Sequence, residues 1–467
     1  MSKAQFGMIG LGTMGRNFLL NVAEHGFSAV GFDLDPTKRK MLETEGADFT
    51  VHPATDLPTF VDALELPRKI MMLVPAGPIV DSVIADLLPH LDKGDIVIDG
   101  GNSHYPDTER REAFLNEKGI EFLGVGVSGG EEGARNGASI MVGGKPEVYE
   151  HVRPIFEAAS AKVNGEPCAA HVGRGSAGHF VKMVHNGIEY GLMQLIAESY
   201  DLLKRGYKLD TPAIAEIFSE WNRGELESFL IEITATVLSK KDDESGEPLA
   251  EMILDTAGQK GTGKWTSQAA MDLGVPIPTI DSAVTMRQIS AQKELRVKLA
   301  KHFLPIDVSP IDGYQSEENI LRLALYASFI AAFTQGFSML RAASEERDLG
   351  LDMVEISKIW RGGCIIRAAL LEDIRTAFEA VPQLTNLMQS KVFQEKNIDS
   401  RKALRTVVAY ASNSGIPSMA FAATLNYFSA FSTERLPANL IQAQRDYFGA
   451  HTYQRIDREG TFHTSDW

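Results

Sequence analysis

Phe6-Gly7-Met8-Ile9-Gly10-Leu11-Gly12-Thr13-Met14-Gly15 runs from four strand-type residues straight into G-x-G-x-x-G, and a helical run follows from Asn17 to His25. Strand, glycine turn and helix in that order make the dinucleotide-binding fingerprint. The glycines permit a tight turn, close approach of backbone to a pyrophosphate, and close packing of helix on strand. The bare pattern is weak evidence, but the context strengthens it. A second strand, Ala29 to Phe32, ends at Asp33, near the position of the acid that meets the cofactor's ribose. Gly10, Leu11, Gly12, Thr13, Met14 and Gly15 are therefore expected at the pyrophosphate, with Asp33 at the adenosine ribose.

The alternation continues outward from this unit. Lys69 to Val74 and Ile96 to Asp99 read as buried parallel strands with helices between, the pattern of a doubly wound α/β domain over residues 1–176. Two glycine-rich loops sit at strand ends, where such sheets bind ligands. One is Gly100-Gly101-Asn102-Ser103. The other, Val127-Ser128-Gly129-Gly130-Glu131-Glu132-Gly133, follows a strand from Phe122 to Val125. Each alone is as readily a plain tight turn; two at equivalent ends of one sheet favour a site.

Helical periodicity then takes over, giving an all-α domain over 177–435 and a tail over 436–467. Gly178 to Gly191, GHFVKMVHNGIEYG, is apolar around much of its circumference, with Ser176 as a candidate N-cap. Lys182, His185, Asn186 and Glu189 nevertheless fall at i, i+3, i+4 and i+7, on one face. Buried polar groups need partners; a structural network would supply them, and so would a polar ligand in a cleft. An internal echo suggests a duplicated helical unit: Leu209-Asp210 and Trp221-Asn222-Arg223-Gly224 recur as Leu351-Asp352 and Trp360-Arg361-Gly362-Gly363. Gly258 to Trp265 reads as a loop with two lysines. It lacks the spacing and the preceding strand of a Walker loop but is suited to holding a phosphate. The tail, with a short helix through Asp446, is too apolar for flexible filler and should dock on its own domain or on a neighbouring subunit.

Length and charge bound the rest. A chain of 467 residues is long enough for two or three domains, and a net charge of −16 argues against nucleic acid and an anionic membrane surface. An anionic substrate then needs a local basic cluster. Two distant cysteines, Cys168 and Cys364, fit a reducing compartment and rule out a cysteine-based zinc site. No leader and no apolar run of membrane-spanning length is visible, so a soluble, cytoplasmic protein is expected.

Six stretches in order carry a resemblance over nearly the whole chain. They are GGNS at 100–103, VSGGEEGAR at 127–135, GHFVKMVHNGIEYG at 178–191, AGQKGTGKW at 257–265, WRGGCIIR at 360–367 and IQAQRDYFGAHTY at 441–453. With these the chain resembles the decarboxylating 6-phosphogluconate dehydrogenases of the pentose phosphate pathway. The resemblance implies oxidation of the substrate's C3 hydroxyl, loss of C1 as CO2 and release of ribulose 5-phosphate, without a metal. It implies Lys182 as general base and Glu189 as general acid. Ser128, Gly129, Gly130, His185 and Asn186 would hold the substrate's carboxylate and hydroxyls, with Asn102 near the reacting carbons. Tyr190, Lys260, Thr262 and Arg287 match phosphate-binding positions, and Arg445 and His451 match tail residues that reach the partner's site in a homodimer. Two other readings are a β-hydroxyacid dehydrogenase that does not decarboxylate and a catalytically idle Rossmann-fold binding protein. The phosphate cluster argues against the first, and intact Lys182 and Glu189 against the second.

The cofactor loop departs from that family. Its common NADP-dependent members carry Asn-Arg-Thr where this chain has Asp33-Leu34-Asp35, and a lysine where it has Pro75 in Val74-Pro75-Ala76-Gly77. A carboxylate about 4 Å from a 2′-phosphate costs on the order of 4 kcal/mol per charge pair at an effective dielectric of 20. NAD is therefore expected as the preferred cofactor. Arg16, Lys38 and Arg39 lie near enough in sequence to leave NADP open.

Overall fold

The structure is a computed structural model that describes residues 3–303 and 314–467. Ten strands precede the helical half: β1 (Phe6–Ile9), β2 (Ala29–Phe32), β3 (Val51–Pro53), β4 (Lys69–Met72), β5 (Ile96–Asp99), β6 (Glu121–Ser128), β7 (Ser139–Gly144), β8 (Lys162–Val163), β9 (Glu166–Pro167) and β10 (Ala169–Gly173). Eight of them form one sheet in the order β10-β7-β6-β5-β4-β1-β2-β3, and β8 and β9 make a small hairpin. Both faces of the sheet are covered, so its strands are apolar throughout rather than alternating. Strand order reverses at β1, which pairs in parallel with both β2 and β4. That reversal opens the crevice where a doubly wound sheet takes its ligand.

Several sequence expectations are adjusted. The sheet is not parallel throughout: β7 runs antiparallel to β6, because only a seven-residue helix, Gly130–Asn136, separates them. A parallel crossover needs a dozen residues or more. The strand expected over Phe122–Val125 extends to Ser128, and β4 ends at Met72, releasing Val74–Gly77 as a loop. The first helix begins inside the fingerprint, at Thr13, and ends at Glu24.

The helix Ala177–Asp201 runs through the middle of the molecule and is buried along most of its length. Ser176 occupies its N-cap position, yet its side chain caps nothing. The hydroxyl donates instead to Glu109 Oε1 at 2.8 Å. The helix lies against β6, where the alternate residues Gly124 and Gly126 present no side chains. A Cβ on Gly126 would stand 2.5 Å from Lys182 Cβ and 2.8 Å from the Gly178 carbonyl oxygen. On its other side the helix packs on the 33-residue helix Tyr314–Glu346. Part of that second helix, Ile320–Glu346, is long and apolar enough to span a bilayer, but other helices bury most of it. It is a core helix of the helical half.

The sequence echo has a structural counterpart. Asp210 caps Thr211–Trp221 through the Ala213 N–H, and Asp352 caps Met353–Ile359 through the Val354 and Glu355 N–H groups. Each short helix follows one of the two long ones, and the units meet at a backbone bridge between Ser228 and Ala368.

In the tail, the helix Ala438–Gly449 exposes nearly every side chain, including Tyr447 (73 %) and Phe448 (71 %). A hairpin of β11 (Tyr453–Gln454) and β12 (Thr461–Phe462) follows. Buried Asp446 ties these parts together, accepting from Thr452 N–H, His463 Nδ1, Thr464 N–H and Trp467 Nε1 at 2.9–3.1 Å. Although burial opposes its charge, these four donors hold its carboxyl down at about 2.

Candidate active site

A cleft of about 1240 Å³ lies between the carboxyl ends of the strands and the helical half. On the sheet side it is lined by Met14, by Val74, Pro75, Ala76 and Gly77 after β4, and by Gly100, Gly101 and Asn102 after β5. The fingerprint glycines earn their places separately. Gly10 has φ +92°, and a Cβ there would stand 2.5 Å from the Leu73 carbonyl oxygen; one on Gly15 would overlap the Gly10 carbonyl oxygen. Gly12 faces open space, and the helix it begins has no side-chain cap, so its first N–H groups remain available to an anion. Leu11 is buried, and its N–H donates to Asp33 Oδ2 at 2.8 Å. These residues fit a dinucleotide's pyrophosphate and ribose.

The loop after β2 divides its work. Asp33 accepts from Lys38 Nζ at 3.3 Å as well as from Leu11, and Arg39 donates to the Asp33 carbonyl at 2.7 Å. Leu34 is 87 % exposed. Asp35 caps the helix Pro36–Glu45 through the Thr37 N–H, which holds its carboxyl below the usual range. Arg16 is paired with Glu45 at 2.8 Å. Two of the three nearby cations thus already face Asp33.

The helical side of the cleft is lined by Asn186, Glu189 and Tyr190 from the central helix and by Lys260, Thr262, Trp265 and Arg287. Residues 258–265 are only half loop, because a helix starts at Thr262 and runs to Asp272. Arg287 lies over the Tyr190 ring, 4.0 Å from its centroid, and donates to the Gly258 carbonyl at 2.7 Å. Lysine, arginine and a helix start converging on one end suit a phosphate.

Behind Asn186 lies a buried polar chain. His185 Nδ1 is 3.1 Å from Asn186 Oδ1 and 3.4 Å from Lys182 Nζ, and its Nε2 is 3.2 Å from Ser128 Oγ. Burial, then the neighbouring Lys182, push His185 well below its ordinary value, so its ring is neutral. One ring nitrogen then donates and the other accepts; with Nδ1–H donating to Asn186 Oδ1, Nε2 accepts from the Ser128 hydroxyl. Lys182, 7 % exposed, is itself pushed down by burial, with Glu189 opposing. Burial pushes Glu189 up, with Lys182 and Arg287 opposing. An amine biased toward its free base and a carboxyl biased toward its acid therefore stand two turns apart on one helix.

Gly129 and Gly130 follow Ser128 with φ of 112° and 62°. A Cβ on Gly129 would stand 2.5 Å from the Gly363 carbonyl oxygen, so the 360–367 stretch packs directly on this turn. Arg445 and His451 lie on the exposed tail and do not line this cleft. Other features of the site escaped the sequence reading. The His104 ring stacks on Trp265 at 4.6 Å and 23°, joining the two walls. Gly124 and Gly126 set the depth of the central helix, and Arg111 supports both sheet-side loops from behind. His104 adjoins the 100–103 motif and Trp265 closes the 257–265 motif, whereas the strand glycines and Arg111 carry no pattern of their own.

Comparison with known proteins covers both halves. Residues 5–173 match a family described as the NAD binding domain of 6-phosphogluconate dehydrogenase, and residues 178–467 match 6-phosphogluconate dehydrogenase, C-terminal domain. The chain is 51 % identical, with all of both chains covered, to a Bacillus subtilis protein named 6-phosphogluconate dehydrogenase, NADP(+)-dependent, decarboxylating. It is 49 % identical, again over both whole chains, to the Escherichia coli 6-phosphogluconate dehydrogenase, decarboxylating. Among solved structures, Plasmodium falciparum 6-phosphogluconate dehydrogenase, described with its cofactor NADP+ and its substrate, superposes with a TM-score of 0.96 at 44 % identity. That match covers 98 % of this chain and 99 % of the other.

Proposed function

Because the chain belongs to the decarboxylating 6-phosphogluconate dehydrogenase family, we propose that it converts 6-phosphogluconate to ribulose 5-phosphate and CO2 with the residues of this cleft. The observation that carries the assignment of roles is the opposed bias of Lys182 and Glu189 on one helix face. A bound nicotinamide supplies the hydride acceptor. Lys182, as free amine, takes the proton of the C3 hydroxyl as that carbon is oxidised. As ammonium it then stabilises the enolate oxygen that develops when the C1–C2 bond breaks and CO2 leaves. Glu189, as carboxylic acid, protonates the carbon that lost the carboxylate. Ser128, Gly129, Gly130, His185 and Asn186 hold the carboxylate and hydroxyls, Asn102 reaches the reacting carbons, and Tyr190, Lys260, Thr262 and Arg287 take the phosphate.

The cofactor preference follows from Asp33. Its carboxylate sits at the ribose end of the turn and suits two free ribose hydroxyls better than a 2′-phosphate. Lys38 and Arg39 are already turned onto Asp33, and Leu34 offers no donor. A preference for NAD departs from the NADP(+) in the name of the Bacillus subtilis relative. Release of CO2 from 6-phosphogluconate, with kcat/KM measured for both cofactors at fixed ionic strength, tests activity and preference together. NAD should give the higher kcat/KM, and Asp33→Asn/Leu34→Arg/Asp35→Thr should swing the ratio toward NADP. Wild-type preference for NADP would defeat the argument from charge and make Arg16 or Lys38 the phosphate's partner.

The exposed apolar tail helix is read as the docking element of a homodimer, with Arg445 and His451 delivered to the partner's cleft. The support is its exposure together with a rigid internal frame around Asp446. On this reading, inactive Lys182→Ala subunits mixed with Arg445→Ala subunits recover activity, since a hybrid dimer holds one intact composite site. Absence of recovery under demonstrated subunit exchange would place the tail elsewhere.

A further inference from the structure

Arg111 is 1 % exposed, and each of its five N–H donors is used. Nε donates to Asp81 Oδ1 at 2.9 Å, and Nη2 donates to Asp81 Oδ2 at 3.1 Å and to the Gly77 carbonyl at 2.9 Å. Nη1 donates to Asp99 Oδ2 at 3.2 Å and to Ser103 Oγ at 3.3 Å. Asp99 in turn accepts from the Gly101 N–H at 3.1 Å and the Ser103 hydroxyl at 2.7 Å. One planar guanidinium therefore grips two loops from behind. Val74–Gly77 follows β4, and Gly100–Ser103 follows β5. Their front faces line the cleft through Val74, Pro75, Ala76 and Asn102.

We infer that Arg111 is a positioning residue for the reaction, fixing the spacing of the cofactor loop and the Asn102 loop without touching either ligand. The geometry favours this over a merely structural role, because both arms end on segments that face the cleft. A buried charge placed only to join the sheet to its helix has no need to reach both. A lysine at 111 keeps the charge but is a single point with three donors on one atom, so it cannot serve both loops. The inference rests on the function proposed above for the cleft.

The test compares wild type, Arg111→Lys and Asp81→Asn by steady-state kinetics well below their melting temperatures, with the fold checked by circular dichroism. Arg111→Lys should raise KM for 6-phosphogluconate and for the dinucleotide together and reduce kcat/KM by up to about 10²-fold, the scale of a 1 Å misplacement. Asp81→Asn weakens the bonds that hold Arg111 to the helix following the first loop, together with the exposed Arg110 pair, and leaves the arm to Asp99 and Ser103 intact. It should therefore raise the dinucleotide KM and leave the substrate KM in place. It also keeps the test open if the lysine variant does not fold. A folded Arg111→Lys enzyme with both constants unchanged, or a folded Asp81→Asn enzyme with an unchanged dinucleotide KM, overturns the inference. Wild type that releases no CO2 overturns the proposed function instead, so the two failures are distinct.

Discussion

Lys182→Ala is expected to lower kcat by about 10²–10⁴-fold, the range of a general base. The protein should stay folded and keep its affinity for the dinucleotide, because the loops that line that end of the cleft do not depend on the amine. Glu189→Gln should slow turnover while leaving substrate affinity nearly intact, since protonation of the enediol follows binding. The pH profile carries the sign. Burial lowers the Lys182 pKa, so the free base forms below the ordinary lysine range and activity rises with pH through that lowered value. Burial raises Glu189, so its acid form persists above the ordinary carboxyl range, and activity falls as pH passes through the raised value. A Lys182→Ala enzyme retaining more than about a hundredth of wild-type kcat would falsify its assignment as the base.

Gly126→Ala should damage the enzyme twice through a single methyl group. Its Cβ would stand 2.5 Å from Lys182 Cβ and 2.8 Å from the Gly178 carbonyl oxygen, so the central helix must move off β6. Overpacking of this kind costs about 1–3 kcal/mol. Displacing the base by about 1 Å costs up to about 10²-fold in rate. Thermal unfolding together with kcat reads both effects, and a variant with wild-type values in each would mean that helix and strand are not in register as described. Gly12→Ala provides the contrast, because its Cβ meets nothing in the protein and only the approach of the dinucleotide should suffer.

The sequence carried the architecture where local rules decide it. The β1 turn, the edges of β2 and the stripe on the central helix follow from glycine placement and periodicity, and the structure puts Asn186, Glu189, Tyr190, Lys260, Thr262 and Arg287 around one cleft. What was not legible depends on distant partners. Ser176 has the right residue type for a cap, but Glu109 from another helix takes its hydroxyl. Asp35 is expected in the cofactor loop, and its additional work, capping the helix Pro36–Glu45, goes beyond that expectation. Gly124 and Gly126 look like ordinary strand residues until a helix is laid across them. Arg111 looks like one of two adjacent arginines on a highly charged helix. The reversal of β7 could have been suspected from the length of its connection, since so few residues leave no room for a crossover.

The joint between the halves bears on how exchangeable they are. The two family matches stop and start at residues 173 and 178, as though the chain were built from separable modules. The packing says otherwise. Tyr105, Met141, Ala170 and Val172 from the sheet side belong to the same apolar core as the long helices, and Gly178 admits no side chain against Gly124 and Met141. Grafting this helical half onto another dinucleotide-binding domain would therefore fail unless the recipient's strands carried glycines at the three positions facing the helix, those of Gly124, Gly126 and Gly143. Recombination across the joint is confined to donors that already share that groove, and the two halves must evolve as one unit.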